Sequence, residues 1–232
     1  MIQLIPGESR GHVEHGWLDA RHSFSFSSYY DPQRMGYGPL RVINEDRVVP
    51  TAGFPPHGHR DMEIITYVLD GELRHRDSLG SVGVLRHGEI QVMSAGRGIQ
   101  HSEYNGSTRA SLHLLQIWIE PAVVGKAPSY AQAPLDAEAL RRGFTAAVGP
   151  GGADTAFHIH QDAWLHIAWP AAGATIDRPL DRQRRYYLHL ARGSIRVGAQ
   201  RLLAGDALTL EGEEALGLVA DSDAEILLFD LP

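Results

Sequence analysis

Three histidines and two glutamates are the residues of this sequence best suited to bind a metal ion. His57 and His59 lie two positions apart with Glu63 four residues further on, and His101 and Glu103 repeat the two-residue spacing. Side chains two positions apart share a face of a β-strand. Neutral imidazole and carboxylate suit first-row divalent metals. If the two segments pair, they predict three histidines and one or two carboxylates around one ion, with positions open for substrate or oxygen.

The remaining histidines fit such a site less well, although the chain holds 13 of them. An HxH pair by itself is more often a surface or hydrogen-bonded pair than a metal site, and His158 and His160 form a second such pair. His75 and His87 lie beside predicted turns, where we expect them to face solvent. His113 alternates within an apolar segment, which predicts a core residue or a residue that supports a ligand.

Composition excludes several other classes of chemistry. The 232 residues carry a net charge of −7 and contain no cysteine, so disulfides and thiolate chemistry are ruled out. No basic stripe of the kind found in nucleic-acid binders is present. No apolar run approaches the ~18 residues of a membrane span, and no secretory signal is visible. We therefore expect a cytoplasmic protein, and a monomer in the absence of a coiled-coil pattern.

Short strand-like segments bounded by turns make up most of the chain, which contains 25 glycines and 13 prolines. This pattern favours an all-β sandwich or barrel. Residues 22–30 alternate like a strand, residues 121–134 resemble an extended linker, and residues 136–144 could form one helix with Asp136 as its N-cap. We predict two domains, residues 1–134 and 135–232.

The two halves of the chain resemble each other. Residues 66–74 and 85–94 are echoed by residues 187–196 and 202–210, which suggests a duplicated β-barrel unit. Aligning Gly193 with Gly71 and Gly205 with Gly88 tests whether the second unit keeps the ligands. In place of His57, His59, Glu63, His101 and Glu103 it then has, in order, Pro179, Asp181, Arg185, Leu218 and Ala220. The second unit has lost its ligands, and His158 and His160 lie upstream of this register, so we interpret them as structural.

Two motifs resemble those of cupins. G-x3-H-x-H-x3-E-x7-G (Gly53–Gly71) is similar to the first cupin motif. G-x5-S-A-G-x-G-x2-H-x3-N (Gly88–Asn105) is similar to the second, with Ser94 where proline is common. The chain as a whole resembles the pirins, a bicupin family, and especially their bacterial branch. The segments that carry this resemblance are Arg10–Phe26, Tyr29–Pro32, Leu40–Asp46, His57–Gly71, Met93–Asn105, Leu115–Ile119 and the closing LLFDLP.

The resemblance implies an all-β bicupin fold, with two antiparallel β-barrel (double-stranded β-helix, or jelly-roll) domains and metal in the first only. The pirin ligands correspond to His57, His59, His101 and Glu103, whereas general cupins use the first-motif glutamate, here Glu63. We follow the pirin pattern and expect Glu63 to support the site or handle a proton. The expected metal is Fe(II), with Ni, Co, Mn, Cu or Zn as further possibilities.

The resemblance also implies a reaction. Pirin-type quercetin 2,3-dioxygenases cleave a flavonol with O2, and here Glu103, or Glu63 if it is free, would act as the base. Trp17, Phe24 and Phe26 would wall the substrate pocket, or simply fill the barrel. A second hypothesis is a non-enzymatic iron-binding regulator that acts through a protein partner, and a third is an isomerase or different dioxygenase on the same scaffold.

Overall fold

The computed structural model describes residues 1–151 and 157–232, which form two compact units. The N-terminal unit comprises Arg10–Leu135 and Ile159–Gln161, and the C-terminal unit comprises Met1–Ser9, Asp136–His158 and Asp162–Pro232. The chain thus changes unit one residue after the predicted domain boundary. The assignment of residues 1–9 to the first domain is corrected, because their strand pairs within the C-terminal unit.

Strands dominate both units. In chain order they begin with β1 (Ile2–Ile5), β2 (Gly11–Glu14), β3 (Leu18–His22), β4 (Leu40–Val48), β5 (Gly53–His59), β6 (Glu63–Asp70), β7 (Glu72–Asp77), β8 (Val82–Arg86), β9 (Glu89–Ser94), β10 (Ile99–Asn105), β11 (Leu112–Ile119) and β12 (Ser129–Pro134). After helix α1 (Ala137–Arg142) come β13 (Thr145–Gly149), β14 (Phe157–His158), β15 (Trp164–Ala168), β16 (Thr175–Pro179), β17 (Arg185–Arg192), β18 (Ser194–Val197), β19 (Gln200–Leu203), β20 (Ala207–Glu211), β21 (Ala215–Ala220) and β22 (Glu225–Leu231).

Each unit is built from one seven-stranded and one four-stranded sheet. The N-terminal unit has the orders β12-β9-β6-β11-β4-β3-β2 and β5-β10-β7-β8. The C-terminal unit has the orders β1-β20-β17-β22-β15-β13-β14 and β16-β21-β18-β19. The predicted all-β fold with two antiparallel jelly-roll units is therefore confirmed. Each unit consists of two sheets instead of one continuous closed barrel, and β13 with β14 is a parallel pair.

The strand orders correspond from β9 to β3 in the large sheet and throughout the small sheet, so the duplication inferred from sequence is present in the fold. The edges differ, because β1 from the start of the chain takes the place of β12, and β14 pairs in parallel with β13 where β2 pairs antiparallel with β3. The turns used for the alignment also match: Gly71 and Gly193 have φ values of 83° and 80°, a conformation that favours glycine. The alignment of β16 needs correction, however, since Leu218 pairs with Ile176 just as His101 pairs with His57. Ile176, and not Pro179, corresponds to His57, because the connection from β16 to β17 is longer than that from β5 to β6.

The C-terminal unit has apolar side chains at three of the four positions equivalent to the predicted ligands. Ile176, Leu218 and Ala220 replace His57, His101 and Glu103, whereas Arg178 replaces His59. Leu216, Leu218 and Ala220 are each 1% exposed and belong to its hydrophobic core. Each large aliphatic side chain buried in this way contributes roughly 1.5–3 kcal/mol. The same strand in the N-terminal unit, β10, instead points Ile99, His101, Glu103 and Asn105 inward.

Three local expectations meet different outcomes. The short helix is confirmed: the carboxylate of Asp136 accepts hydrogen bonds from the backbone N–H groups of Glu138 and Ala139, both at 3.0 Å. The expected linker at residues 121–134 is wrong in part, because Ser129–Pro134 is strand β12, paired with β9. The expected strand over residues 22–30 is also wrong, because β3 ends at His22 and a turn with Phe26 bridged to Tyr29 follows.

Membrane insertion by a helix has no support in the structure. Across residues 1–151 and 157–232, no helix has the length and hydropathy required to cross a bilayer.

Because β5 packs closely on β10, two glycines of β5 should differ in how well they tolerate substitution by alanine. A Cβ atom on Gly53 would lie 2.2 Å from the backbone oxygen of Glu103, whereas one on Gly58 would meet nothing nearer than 3.9 Å. We expect Gly53→Ala to lower the free energy of unfolding by about 1–3 kcal/mol, because backbone must move to admit the methyl group. Gly58→Ala is the matched control, and urea denaturation measures both. Equal stability of the two variants would contradict the packing.

Candidate metal centre

Pairing of β5 with β10 brings the three predicted histidines together. His101 lies directly opposite His57, and His59 lies opposite Ile99. The ring centroids are 4.4 Å apart for His57 and His101, and 4.8 Å apart for the other two pairs. One ring nitrogen from each lies within 4.8 Å of the others, a spacing at which one ion can bridge all three.

An irregularity in this pairing sets the shape of the site. The register shifts between His101 and Glu103, so that Glu103 lies opposite Phe54 and the two prolines between Phe54 and His57 form a bulge. Proline suits a bulge because it has no N–H to contribute to the ladder. The carbonyl oxygen of Pro55 then accepts a hydrogen bond at 2.8 Å from Nδ1 of His57. This bond orients the ring and leaves Nε2 free to coordinate, the arrangement usual for metal-binding histidines.

His101 gives the clearest indication that the cluster binds something. It is 2% exposed, and neither of its ring nitrogens has a hydrogen-bond partner in the described part of the chain. A buried polar atom without a partner costs about 1–3 kcal/mol. A coordinated ion would satisfy one of these nitrogens, so the residues present fit a divalent transition metal.

Burial also keeps two of the imidazoles in the form that binds metals. Desolvation, reinforced by the neighbouring His57, lowers the pKa of His59 to about 4. Desolvation and the neighbouring histidines lower the pKa of His101 to about 3. Both rings are therefore neutral at physiological pH, with a lone pair available for a metal.

Glu103 lies on the inner face next to His101 and is held by a polar network. Its Oε2 accepts a hydrogen bond at 2.6 Å from Nε2 of Gln116, and its Oε1 accepts a longer one at 3.4 Å from the hydroxyl of Thr66. Burial raises the pKa of Glu103 to about 7, although these hydrogen bonds oppose the shift. A carboxylate oxygen of Glu103 forms a second potential ligand group with His101 and His75.

Glu63, the alternative ligand and candidate base, lies elsewhere. It is 1% exposed and accepts hydrogen bonds from the hydroxyl of Ser94 at 3.0 Å and from the backbone N–H of His160 at 3.2 Å. On the same strand, Ile64 lines the cavity with the histidines and Thr66 contacts Glu103. Because side chains alternate between the faces of a strand, Glu63 faces the opposite side of β6. The even spacing from His57 and His59 does not place Glu63 on their strand face, because residues 60–62 interrupt the strand and β6 belongs to the other sheet.

His75 is a buried residue, which corrects the expectation that it faces solvent. It is 2% exposed, its Nε2 lies 3.0 Å from Oδ2 of Asp77, and its ring stacks on Tyr130 at 4.5 Å. It lies opposite Glu103 in the pairing of β7 with β10, and its ring centroid is 5.4 Å from that of His101. His87 is exposed, as expected, and Nε2 of His113 lies 2.9 Å from Glu45 Oε1.

A cavity of about 220 Å³ opens onto the histidine cluster. Its lining combines apolar or aromatic with polar side chains. Besides the metal-binding candidates, the lining residues are the apolar or aromatic Phe26, Phe54, Ile64 and Trp118 and the polar Asn44, Asp46 and Gln116. Of the three aromatic residues expected to wall the pocket, Phe26 does so. Trp17 packs against Phe54 with ring centroids 5.1 Å apart, and Phe24 is buried at 6% exposure.

Two jelly-roll units in one chain, one of which has a three-histidine cluster at a cavity, define a bicupin whose candidate metal centre, among the described residues, lies in the N-terminal unit. Comparison with known proteins agrees. The family model described as Pirin matches residues 6–119, and that of the quercetinase C-terminal cupin domain matches residues 147–231. The chain belongs to the pirin family.

Individual relatives extend over the full chain. A quercetin 2,3-dioxygenase of Escherichia coli K12 is 42% identical over 100% of this chain and 99% of its own length. A pirin-like protein of Caulobacter vibrioides is 44% identical over 99% of both chains. The crystal structure of the bacterial pirin YhhW from E. coli in complex with nickel(II) superposes with a TM-score of 0.94 at 41% identity, covering 100% of this chain and 99% of that one.

Removal of one imidazole from the cluster should abolish metal binding. We expect His101→Ala, purified without chelator and incubated with Ni(II), to retain much less than one equivalent of metal by elemental analysis. His158→Ala is the control, because it removes an exposed histidine of the other HxH pair and should leave the metal content unchanged. Equal metal content in the two variants would contradict the proposed ligand set.

Glu103 should make the metal-free protein sensitive to pH in a definite direction. Its folded pKa of about 7 lies above the reference value of 4.5, so its contribution to stability is complete below about pH 4.5 and is lost as the pH rises through about 7. Relative to the wild type, chelator-treated Glu103→Gln should therefore gain up to about 3 kcal/mol over this range. Urea denaturation at several pH values measures the difference. Parallel pH profiles would show that Glu103 ionises normally.

Proposed function

We propose that this chain is a metal-dependent dioxygenase of the pirin type, which cleaves a flavonol such as quercetin with O2. The observation that carries the proposal is a three-histidine cluster, with His101 buried and without hydrogen-bond partners among the described residues, that opens onto a cavity lined in part by aromatic side chains. The cavity suits a flat aromatic substrate, and the E. coli relative named quercetin 2,3-dioxygenase matches the whole chain.

His57, His59, His101 and Glu103 would hold the ion, and Fe(II) is the metal we favour. A bound ion would act as a Lewis acid that polarises the substrate oxygen and as a template that orients it. Imidazole and carboxylate ligands also suit nickel, the ion in the structure of the E. coli relative, and suit cobalt, manganese, copper or zinc.

Glu103 is the candidate proton acceptor for the hydroxyl of the flavonol. A general base must lie within reach of the proton that it accepts, and Glu103 lines the same cavity as the three histidines. Gln116 holds Oε2 with a hydrogen bond of 2.6 Å, whereas the contact of Oε1 with the hydroxyl of Thr66 is longer, at 3.4 Å. We therefore assign the proton to Oε1.

The aromatic walls would bind the ring system and exclude water while the hydroxyl loses its proton. Overall, both atoms of O2 enter the product, one carbon of the central ring leaves as carbon monoxide, and a depside remains. Atoms balance without a further reductant.

Loss of His57 should abolish turnover without unfolding the protein. With quercetin and protein incubated with Fe(II), we expect oxygen uptake and carbon monoxide release from the wild type. In His57→Ala both rates should fall by at least about 100-fold, because the site no longer holds the ion and its stabilising charge. His87→Ala, which removes an exposed histidine on the β8–β9 turn, is the control and should match the wild type. Fully loaded wild-type protein without turnover of flavonols would overturn the proposal.

A further inference from the structure

Asp46 is a buried carboxyl group on the cavity wall for which neither the fold nor the metal centre supplies a complete set of partners. It lies on β4, is 3% exposed and lines the cavity beside Asn44. Asn44 has a partner there, since its Oδ1 lies 2.7 Å from Nδ1 of His22. Oδ1 of Asp46, by contrast, is buried and has no hydrogen-bond partner among the described residues.

An unsatisfied oxygen of this kind needs a donor from outside the chain. Leaving a buried acceptor unpaired costs about 1–3 kcal/mol, and more if the group is charged. Such a cost is commonly tolerated where a ligand relieves it. The cavity is the route by which a donor can reach Asp46, because both it and the histidine cluster line the same space.

We propose that Asp46 positions the substrate, its carboxyl group accepting a hydrogen bond from a ring hydroxyl remote from the metal-facing oxygen. The proposal rests on the function proposed above and names the substrate class more closely: neutral aromatic compounds that carry a second hydroxyl. A carbonyl or ether oxygen at that place brings no proton to donate. A carboxylate at that place brings no proton either, and it would lie beside the acidic side chains of Asp46 and Glu103, which line the same cavity.

The second carboxyl group near the metal centre is therefore that of Asp46, whereas the sequence pattern predicted Glu63 there. The sequence predicted a second carboxylate near the ligands, and the structure has one there, on β4 and not on β6. Its role differs from that of Glu103, because it belongs to neither potential ligand group.

The test compares two flavonols that differ in their outer hydroxyls. Quercetin carries ring hydroxyls besides the one at position 3, whereas 3-hydroxyflavone has only that one. Binding of each is measured anaerobically, from the change in flavonol absorbance, to Ni(II)-loaded wild type and to Asp46→Leu. We expect the variant to bind quercetin about 10- to 100-fold more weakly, as for the loss of a buried hydrogen-bond partner, and to bind 3-hydroxyflavone within about 2-fold of the wild type.

Two further variants exclude simpler explanations. Asp46→Asn keeps the shape and one acceptor oxygen but replaces the other oxygen by an NH2 group, so its quercetin affinity should fall between those of wild type and Asp46→Leu. Ile64→Val changes an apolar lining residue and should alter the affinities for both flavonols alike. Elemental analysis and thermal denaturation establish that each variant is folded and holds its nickel.

The outcomes separate the two proposals. If Asp46→Leu binds both flavonols more weakly to the same degree, or binds both as well as the wild type does, the role of Asp46 is overturned and the flavonol dioxygenase proposal stands. Failure of loaded wild-type protein to bind either flavonol overturns both proposals. Selective weakening of quercetin supports the assignment.

Discussion

The pairing of β5 with β10 is the interaction on which the rest of the site depends. It sets His101 opposite His57, and the bulge at the two prolines turns the Nδ1 group of His57 onto a backbone carbonyl and directs its other nitrogen inward. The close approach at Gly53 holds the two strands in this register. A slip by one residue would send every side chain of β10 to the other face of its sheet. The strand pairing therefore determines both the fold of this sheet and the ligand geometry.

Comparison of the two units shows that the site lowers the stability of the N-terminal unit. Both have the same order of central strands, yet the C-terminal unit buries Leu218 where the N-terminal unit buries His101. The leucine gains stability from burial alone, whereas the histidine leaves two polar atoms without partners in the described part of the chain. The N-terminal unit thus carries a local free-energy penalty that the duplicated fold does not require. Coordination of an ion, and contact of a substrate hydroxyl with Asp46, are the interactions that would offset it.

Sequence reasoning worked where the relevant relation lies within one strand and failed where it crosses strands or sheets. Alternation along β10 placed His101 and Glu103 on one face, and the glycine turns revealed the duplication. Parity misplaced Glu63, since the turn at residues 60–62 leads into a different sheet. Burial of His75 depends on its pairing with β10, and a turn-adjacent position gives no sign of that. Asp46 lies in a segment typical of the family, but only the cavity reveals its unpaired oxygen.

The most direct test concerns the one ion that β5 and β10 of the N-terminal unit are expected to bind. Anomalous diffraction from crystals of the protein loaded with Ni(II) locates that ion directly. The account predicts a single strong peak about 2.0–2.2 Å from one nitrogen each of His57, His59 and His101, with a carboxylate oxygen of Glu103 completing the set. A strong peak at His158 and His160, or one in the C-terminal unit with none at His101, would contradict it.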